Sequence, residues 1–402
     1  MFNSAHVFEG FYSFFSSSLE VALLRLLLIA IGLLLIYLCH KGILDPLVLL
    51  PMGIGMVAVN AGMLVGGSGK IENLFVDPLV SDPVKLIEVL QIDFLQPIYT
   101  FAFSNGLIAC AIFMGVGVIT ELDFLIATPI SSMLLAVAAE LGTILTIPIA
   151  MLWGLNLKQA AAIAMVGGAD GPMVLFTSLA LAKDLFVPIS VISYVYLSLT
   201  YVGYPYLLKL LVPKRLRGIP MDPRSVPKIS SVEKLVFSIV ALLVLSLLFP
   251  VATPLFTSFF LGVAIKEMNV VRFKEFLEGP LLFGSTFLLG LVLGALFSVD
   301  VLGNPVVFKL MVLGIIALLL SGIGGIVGGL VYYKLSKGRI NPLIGLAAVS
   351  CVPTTAKVAQ KAAFQANKRV VILPFASGPN VAGVITTAII CGIYISTIHF
   401  LG

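Results

Sequence analysis

Asp170 stands in the run Gly167-Gly168-Ala169-Asp170-Gly171-Pro172, with apolar residues Ala160 to Val166 before it and Met173 to Phe176 after it. An ionised carboxylate at the centre of a membrane helix costs about 2.5–3.5 kcal/mol on insertion scales, so an acid kept there is a functional-site candidate by default. Its neighbours sharpen the chemistry. Glycines on one side and Gly-Pro on the other interrupt a helix and bring backbone carbonyls and N–H groups beside the acid. Three further polar clusters break the apolar background: Ser193, Tyr194, Tyr196, Ser198 and Thr200; the stretch from Asn341 through Ser350 to Lys357; and Ser377-Gly378-Pro379-Asn380. Together the clusters offer a carboxylate, side-chain amides, hydroxyls, freed carbonyls and a cation. Oxygen donors of this kind suit a hard monovalent ion such as sodium, by analogy with calcium and magnesium, and not a transition metal, which favours His or Cys.

A purely structural role stands beside each functional one. Asp170 is also a good helix cap, although acids retained in a membrane are mostly functional. Tyr194 or Tyr196, taken singly, suits a packed aromatic whose hydroxyl finds a carbonyl. Asn341-Pro342 suits a helix start after a turn, and Lys357 with Lys361 suits side chains that snorkel to the membrane surface. Asn380 follows a proline that lacks a backbone donor, so a break in its segment is expected.

The elements that position these residues are apolar and helical. The chain has 402 residues, 60% of them hydrophobic and 11% charged, against roughly 25% charged in a soluble domain. It is an all-α polytopic membrane protein. Spanning segments are expected near residues 21–39, 45–66, 125–153, 187–208, 233–250, 280–298 and 307–333. Residues 86–119 hold two modest apolar runs around Phe103-Ser104-Asn105-Gly106 and read as a re-entrant hairpin. Segments 159–182, 341–360 and 371–399 are each interrupted by Gly, Pro or polar residues. Such backbone is tolerated in a bilayer only where protein or a watery cavity surrounds it. The whole is roughly ten spanning or broken helices in a single membrane domain, 1–402. It divides into a first half, 1–208, with the Asp170 break; a basic connection, 209–232; and a second half, 233–402, with the Asn341–Lys357 and Asn380 breaks. No large soluble domain fits, so any catalytic partner that works in water is another chain.

Charge assigns sides. Lys209, Lys214, Arg215, Arg217, Arg224 and Lys228 face only Asp222 in their connection, which is therefore cytoplasmic, as is Lys334 to Arg339. Residues 67–93 carry Glu72, Asp77, Asp82, Glu88 and Asp93 against Lys70 and Lys85, which fits the outer side. The net charge of +5 reflects this bias and argues against a nucleic-acid partner. Met1 to His6 lack the positive charge of a signal peptide, so the first apolar run is expected to be retained. Cys39, Cys110, Cys351 and Cys391 form no Cys-x-x-Cys pair and read as small buried residues. A faint internal repeat sets the break at Gly168–Pro172 against the one at Ser350–Thr355, each after a long apolar helix and a polar turn. Paired breaks point to a midplane site in transporter folds, although two small-residue helices also match by composition alone.

Three motifs in order, Gly167-Gly168-Ala169-Asp170-Gly171-Pro172, then Asn341-Pro342-Leu343-Ile344-Gly345 leading to Ser350, then Gly378-Pro379-Asn380-Val381-Ala382-Gly383, resemble the signatures of the β subunit of biotin-dependent, sodium-pumping decarboxylases. These include the membrane subunits of oxaloacetate, methylmalonyl-CoA, glutaconyl-CoA and malonate decarboxylases. The resemblance runs from about Gly42-Ile43-Leu44-Asp45-Pro46 to the C-terminus. It implies a subunit of a bacterial or archaeal cytoplasmic membrane that decarboxylates carboxybiotin, consumes a proton and exports sodium ions. The carboxybiotin comes from a separate carboxyltransferase and biotin-carrier chain. A small single-span subunit and further copies of the chain are the other implied partners. By matching positions the sodium ligands fall on Asp170, Asn341, Gly345, Ser350 and Asn380, the family tyrosine on Tyr196, and carboxybiotin contacts on Ser350 and Lys357. One position departs, since the family commonly carries arginine where this chain has Lys357. Lysine keeps the charge but loses the planar fork that grips a carboxylate through two hydrogen bonds.

Loss of carbon dioxide from carboxybiotin leaves negative charge that a nearby proton donor stabilises, and Tyr196 and Lys357 are the candidates. Asp170 would alternate between sodium and a proton, which compete for one carboxylate. A sodium-coupled secondary transporter of a small anion shares the broken helices and midplane acid and is the second reading. A purely structural anchor leaves Asp170 and Asn380 unexplained.

Overall fold

Helices begin where the sequence sets a side-chain acceptor before an apolar run. Asp45 accepts from the Leu47 N–H at 3.0 Å and Asp82 from the Val84 N–H at 2.9 Å, each with a proline next in line. Asn156 with Gln159, and Ser230 with Glu233, form reciprocal capping boxes. The computed structural model describes residues 8–65, 71–78, 80, 82–222, 226–299 and 305–401; Met1 to His6, Lys70 and Arg224 lie outside them.

In chain order the first helices are α1 (Glu9–Ser16), α2 (Leu19–His40), α3 (Pro46–Ala61), α4 (Pro83–Ile92), α5 (Gln96–Ile98), α6 (Leu107–Ile119), α7 (Asp123–Ala127), α8 (Pro129–Ala139), α9 (Leu141–Leu152), α10 (Leu157–Ala164) and α11 (Gly171–Leu181). They continue as α12 (Phe186–Leu211), α13 (Lys214–Arg217), α14 (Ser231–Leu248), α15 (Thr253–Glu267), α16 (Val271–Phe276), α17 (Leu282–Leu296), α18 (Pro305–Leu335), α19 (Ile344–Ala347), α20 (Thr354–Ala366) and α21 (Leu373–Leu401). Among the described residues the only strands are β1 (Leu64–Val65) and β2 (Ile71–Glu72), an antiparallel ribbon pairing Leu64 with Glu72.

The architecture is all-α and polytopic. Seven described helices are long and apolar enough to cross a membrane, or eight if the bent pair Gln96–Phe103 and Leu107–Ile119 is one span. The shorter α3 and the broken segments at α10–α11 and α19–α20 bring the spanning or broken elements to roughly the expected total. Two expectations need correction. Segment 45–66 is helical only over Pro46–Ala61, 16 residues, or about 24 Å at the α-helical rise, because the chain turns at Gly62 into the ribbon. Segment 371–399 is not interrupted: α21 runs through Pro379, and the expected break at Asn380 is absent. Proline is accommodated inside membrane helices because neighbouring elements satisfy the freed backbone groups, and Asn380 sends its side chain to another segment instead.

Contacts group the chain into two compact units, Met1–Ile108 with Gly284–Phe308, and Ala109–Phe283 with Lys309–Gly402. In the first, Arg25 is fully buried, donating from Nε to the Asn60 carbonyl and from Nη1 to Ser13 Oγ, both at 3.0 Å, and lying 3.7 Å from the Phe14 ring centre. The second holds every predicted site residue. In it α10 packs on α9, α11 on α12 and α21, α8 on α21, and α12 on α20. The described part of the basic connection is tied to this unit at both ends. Asn341 Nδ2 donates to the carbonyls of Arg217 and Ile219 at 3.0 and 2.9 Å. Asp123 accepts from the Ile229 N–H at 2.9 Å and from Lys234 Nζ at 2.7 Å.

Candidate functional site

Small residues Ala160 to Ala164 end α10 fully buried, and the chain then tightens into a 3-10 turn, Met165–Gly168. Ala169 reverses it in the left-handed region at φ 55°, a conformation that costs a residue with a Cβ roughly 1–2 kcal/mol. Asp170 follows in extended backbone and caps α11, its Oδ1 accepting the Met173 N–H at 3.2 Å. The capping role is therefore present, and it uses one of the two carboxylate oxygens for that bond. The side chain is 5% exposed. Gly168 is required by close approach, since a Cβ there would sit 2.5 Å from Thr387 Cγ2.

The second break meets the first. Asn341 Oδ1 accepts from the Leu343 N–H at 3.0 Å, the short α19 follows, and the chain bends again at Ser350 before α20 starts. Ser350 donates from its backbone N–H at 3.2 Å and from Oγ at 2.7 Å to one acceptor, the Gly168 carbonyl. Its hydroxyl lies near enough to the Asp170 carboxyl to interact with it. Asn380 holds this bend in shape: Nδ2 donates to the Ala347 carbonyl at 2.7 Å, to Thr355 Oγ1 at 3.0 Å and to the Val349 carbonyl at 3.3 Å.

A second acid lies against the same wall. Glu140, at the junction of α8 and α9, is 1% exposed. Thr143 Oγ1 approaches its Oε2 at 2.8 Å, and Thr387 Oγ1 hydrogen-bonds its Oε1. Thr387 Oγ1 is also 3.1 Å from Ser350 Oγ. A line of oxygens thus runs from Asp170 through Ser350 and Thr387 to Glu140. Tyr194 closes the other side: its ring lies over Gly171, and its hydroxyl is buried without a hydrogen-bond partner. Among the described residues no Lys or Arg pairs with either carboxyl, and no three His, Cys, Asp or Glu side chains gather as a metal site.

Of the predicted residues, the structure brings Asp170 and Ser350 together and sets Asn380 one layer behind Ser350. Asn341 is occupied with the basic connection. Gly345 is a packing contact, where a Cβ would lie 2.5 Å from the Gly329 N on α18. Tyr196 packs its ring on Gly314 of α18, two residues along α12 from Tyr194. Lys357 is exposed on α20, one turn nearer the bend than Lys361, whose ammonium sits 5.3 Å from the Tyr201 ring centre. The sequence does not single out Glu140, Thr143 or Thr387, and Thr355 enters only as the end of the Ser350–Thr355 break. Glu140 carried the same signal as Asp170, a lone acid in an apolar run, whereas nothing local distinguishes the threonines from ordinary helix residues.

Residues 24–398 match the family described as the Na+-transporting oxaloacetate decarboxylase beta subunit. The chain is 49% identical to a carboxybiotin decarboxylase of Malonomonas rubra, over 98% of each chain. It is 34% identical to the oxaloacetate decarboxylase beta chain of Haemophilus ducreyi, over 94% of this chain and 97% of that one. It is 32% identical to the methylmalonyl-CoA decarboxylase subunit beta of Veillonella parvula, over 91% of each.

Proposed function

This chain belongs to the family of β subunits of the Na+-transporting oxaloacetate decarboxylases, and on that premise we propose that it is the membrane subunit that decarboxylates carboxybiotin and couples the reaction to sodium export. The carboxybiotin is delivered by a carboxyltransferase and biotin-carrier chain, and a small single-span subunit and further copies of this chain complete the assembly in the cytoplasmic membrane. The basic connection, 209–228, faces the cytoplasm.

One observation carries the site. Two helix breaks far apart in sequence touch through Ser350 and the Gly168 carbonyl, beside the Asp170 carboxyl. Backbone opened in this way at membrane depth supplies oxygens to an ion. Sodium and a proton compete for Asp170, and release of one permits binding of the other. Ser350 contributes its hydroxyl, and Asn380 positions it by fixing the Ala347–Thr355 bend. Asn341 and Gly345 act by placing this segment against the basic connection and α18. Decarboxylation converts carboxybiotin and one proton into biotin and carbon dioxide, and the developing charge on the ureido group calls for a donor. Tyr196 and Lys357 remain the assigned candidates, with Tyr194 the tyrosine beside Asp170. Exposed Lys357 attracts the carboxylate of carboxybiotin as a point charge. In vesicles holding the assembled complex, Asp170→Asn abolishes sodium-dependent decarboxylation; full activity in that variant refutes the assignment.

A further inference from the structure

Helix α14 stands off from the wall formed by α8 and α21 along most of its length. It is the least buried of the described spanning helices and packs on α15. Two pins tie it to that wall. At its start Lys234 Nζ donates to Asp123 Oδ2 at 2.7 Å. Just past its end Phe249 meets α21 so closely that a Cβ on Gly392 would lie 2.7 Å from the Phe249 Cβ. Between the pins lies a groove of about 690 Å³, with Phe237, Ala241 and Leu245 of α14 on one side and Met133 of α8 with Ile385 and Ile389 of α21 on the other.

The dimensions and lining of the groove select what fills it. It follows α14 from Val232 to Leu245, about 20 Å at the helical rise. Its mean cross-section is therefore about 35 Å², whereas a helix about 10–12 Å across needs about 80 Å² or more. A partner helix is too thick. Water is excluded as well, because a buried water needs about two to four polar partners. Among the described residues the only polar side chain on the lining is Glu233, which is exposed at one end. Its carboxylate is already held by Ser230, through N–H at 2.9 Å and Oγ at 2.6 Å. An empty gap would forfeit dispersion contacts along all its walls. The remaining substance in contact with a spanning helix is hydrocarbon chain. A lipid acyl chain is thin, and it covers one leaflet, about 15 Å of an apolar core about 30 Å thick, which the groove accommodates.

We propose that this groove is a lipid site, holding one unbranched acyl chain of a phospholipid, and that the chain braces α21 against the helix breaks. Ile385 and Ile389 face the groove. Gly383 and Thr387, on the opposite face of the same helix, press on the second break: a Cβ on Gly383 would lie 3.2 Å from Ser350 Cα, and Thr387 Oγ1 is 3.1 Å from Ser350 Oγ. Loss of the chain lets α21 relax toward α14 and draws Thr387 away from Ser350. Lipid occupancy stands by itself, and its effect on turnover rests on the functional reading of Asp170 and Ser350.

The test is photolabelling of the full chain in palmitoyl-oleoyl phosphatidylethanolamine vesicles that contain the same lipid with a diazirine on its acyl chain. Label accumulates on Phe237, Ala241 and Ile385 in excess over Leu243, which lies on the outer face of α14 and is 60% exposed. Ala241→Phe plugs the groove and removes the excess, and Leu243→Phe leaves it. In the assembled complex, diphytanoyl phosphatidylethanolamine, whose methyl-branched chains are too wide for the groove, lowers wild-type turnover about tenfold, an ordinary coupling between two sites. Ala241→Phe turns over equally in both lipids. Label spread evenly over the groove and Leu243 in the wild type overturns the lipid site, whether or not the variant folds. Excess label in the groove with equal wild-type turnover in both lipids overturns the bracing role. Asp170→Asn keeps the excess label, so failure of the Asp170 reading shows in turnover alone and failure of the lipid site shows in the labelling.

Discussion

Gly168→Ala places one methyl group between the two breaks. Its Cβ would lie 2.5 Å from Thr387 Cγ2, 3.1 Å from Thr387 Oγ1 and 3.5 Å from Glu140 Oε2. Carbon atoms rest at about 3.5–4.0 Å, so Thr387 or the Met165–Asp170 turn must withdraw by about 1 Å. Rotation of the threonine is a poor escape, because a β-branched side chain on a helix has few rotamers and Oγ1 is held on Gly383 and Glu140. The withdrawal costs about 1–3 kcal/mol of stability. It also moves the Gly168 carbonyl away from Ser350, and a displacement of this size in a reacting constellation costs about a hundredfold in rate. The expected result is a folded protein whose sodium-dependent turnover, measured as carbon dioxide release and sodium uptake by vesicles holding the assembled complex, falls about a hundredfold. Gly203→Ala is the control, since a Cβ there meets nothing within 4 Å, and it leaves both turnover and melting temperature unchanged. Turnover at the wild-type level in Gly168→Ala shows that the contact between the breaks plays no part in coupling.

Asn380→Ala removes the amide that holds the Ala347–Thr355 bend, and with at least two hydrogen bonds lost it destabilises the protein by about 2–3 kcal/mol, read as a lowered midpoint of thermal unfolding in detergent. Lys357→Arg preserves turnover and Lys357→Ala loses most of it; equal activity in all three assigns the lysine to the membrane surface alone. Asp123 gives a pH signature outside the membrane-spanning segments. Burial on its own pushes its carboxyl up, and the hydrogen bonds from Lys234 and the Ile229 N–H, with the Lys234 charge, outweigh burial and hold it below its usual value. A lowered folded-state value stabilises above the ordinary carboxylate range, near pH 4, and the gain is lost as pH falls through the folded value. Asp123→Asn therefore melts lower than wild type at neutral pH, by no more than about 1 kcal/mol for a partly exposed pair, and the gap closes in acid. A gap that persists unchanged below pH ~3 assigns the loss to packing.

The helical class, most spanning segments and the Asp170 break were legible because each rests on a local property: apolar length, a cap, or a Gly-Pro interruption. Asn380 was legible as a polar residue but not as to its role. Proline at 379 signals a break only where its freed backbone groups lack partners, and partners come from the tertiary structure. The pairing of the two breaks was suggested by their parallel placement, while the contact itself, Ser350 on the Gly168 carbonyl, joins residues 182 positions apart. In the sequence Glu140 falls within the apolar segment 125–153. Its importance follows from Thr387, which approaches from a helix at the far end of the sequence. Tyr194 and Tyr196 show the same limit in small. Two residues apart on one helix, they point to different neighbours, and only packing decides which faces Asp170.

Among the described residues no fixed positive charge pairs with Asp170 or Glu140, and this bears on how coupling is achieved. A lysine or arginine in this cluster would neutralise a carboxylate permanently, and a permanently neutral site has no need of a transported ion. Asp170 and Glu140 instead lie within electrostatic reach of each other, and two like charges in a medium of low dielectric repel strongly. The doubly ionised, uncompensated state is therefore the costly one, and it is relieved when a proton or a bound cation compensates either charge. Exposed Lys357 lies outside this balance, where it can attract an incoming carboxylate without satisfying the buried acids. On the proposed function, decarboxylation changes which cation is offered to Asp170, and the contact between the two breaks, Ser350 on the Gly168 carbonyl, fixes the oxygens around that acid.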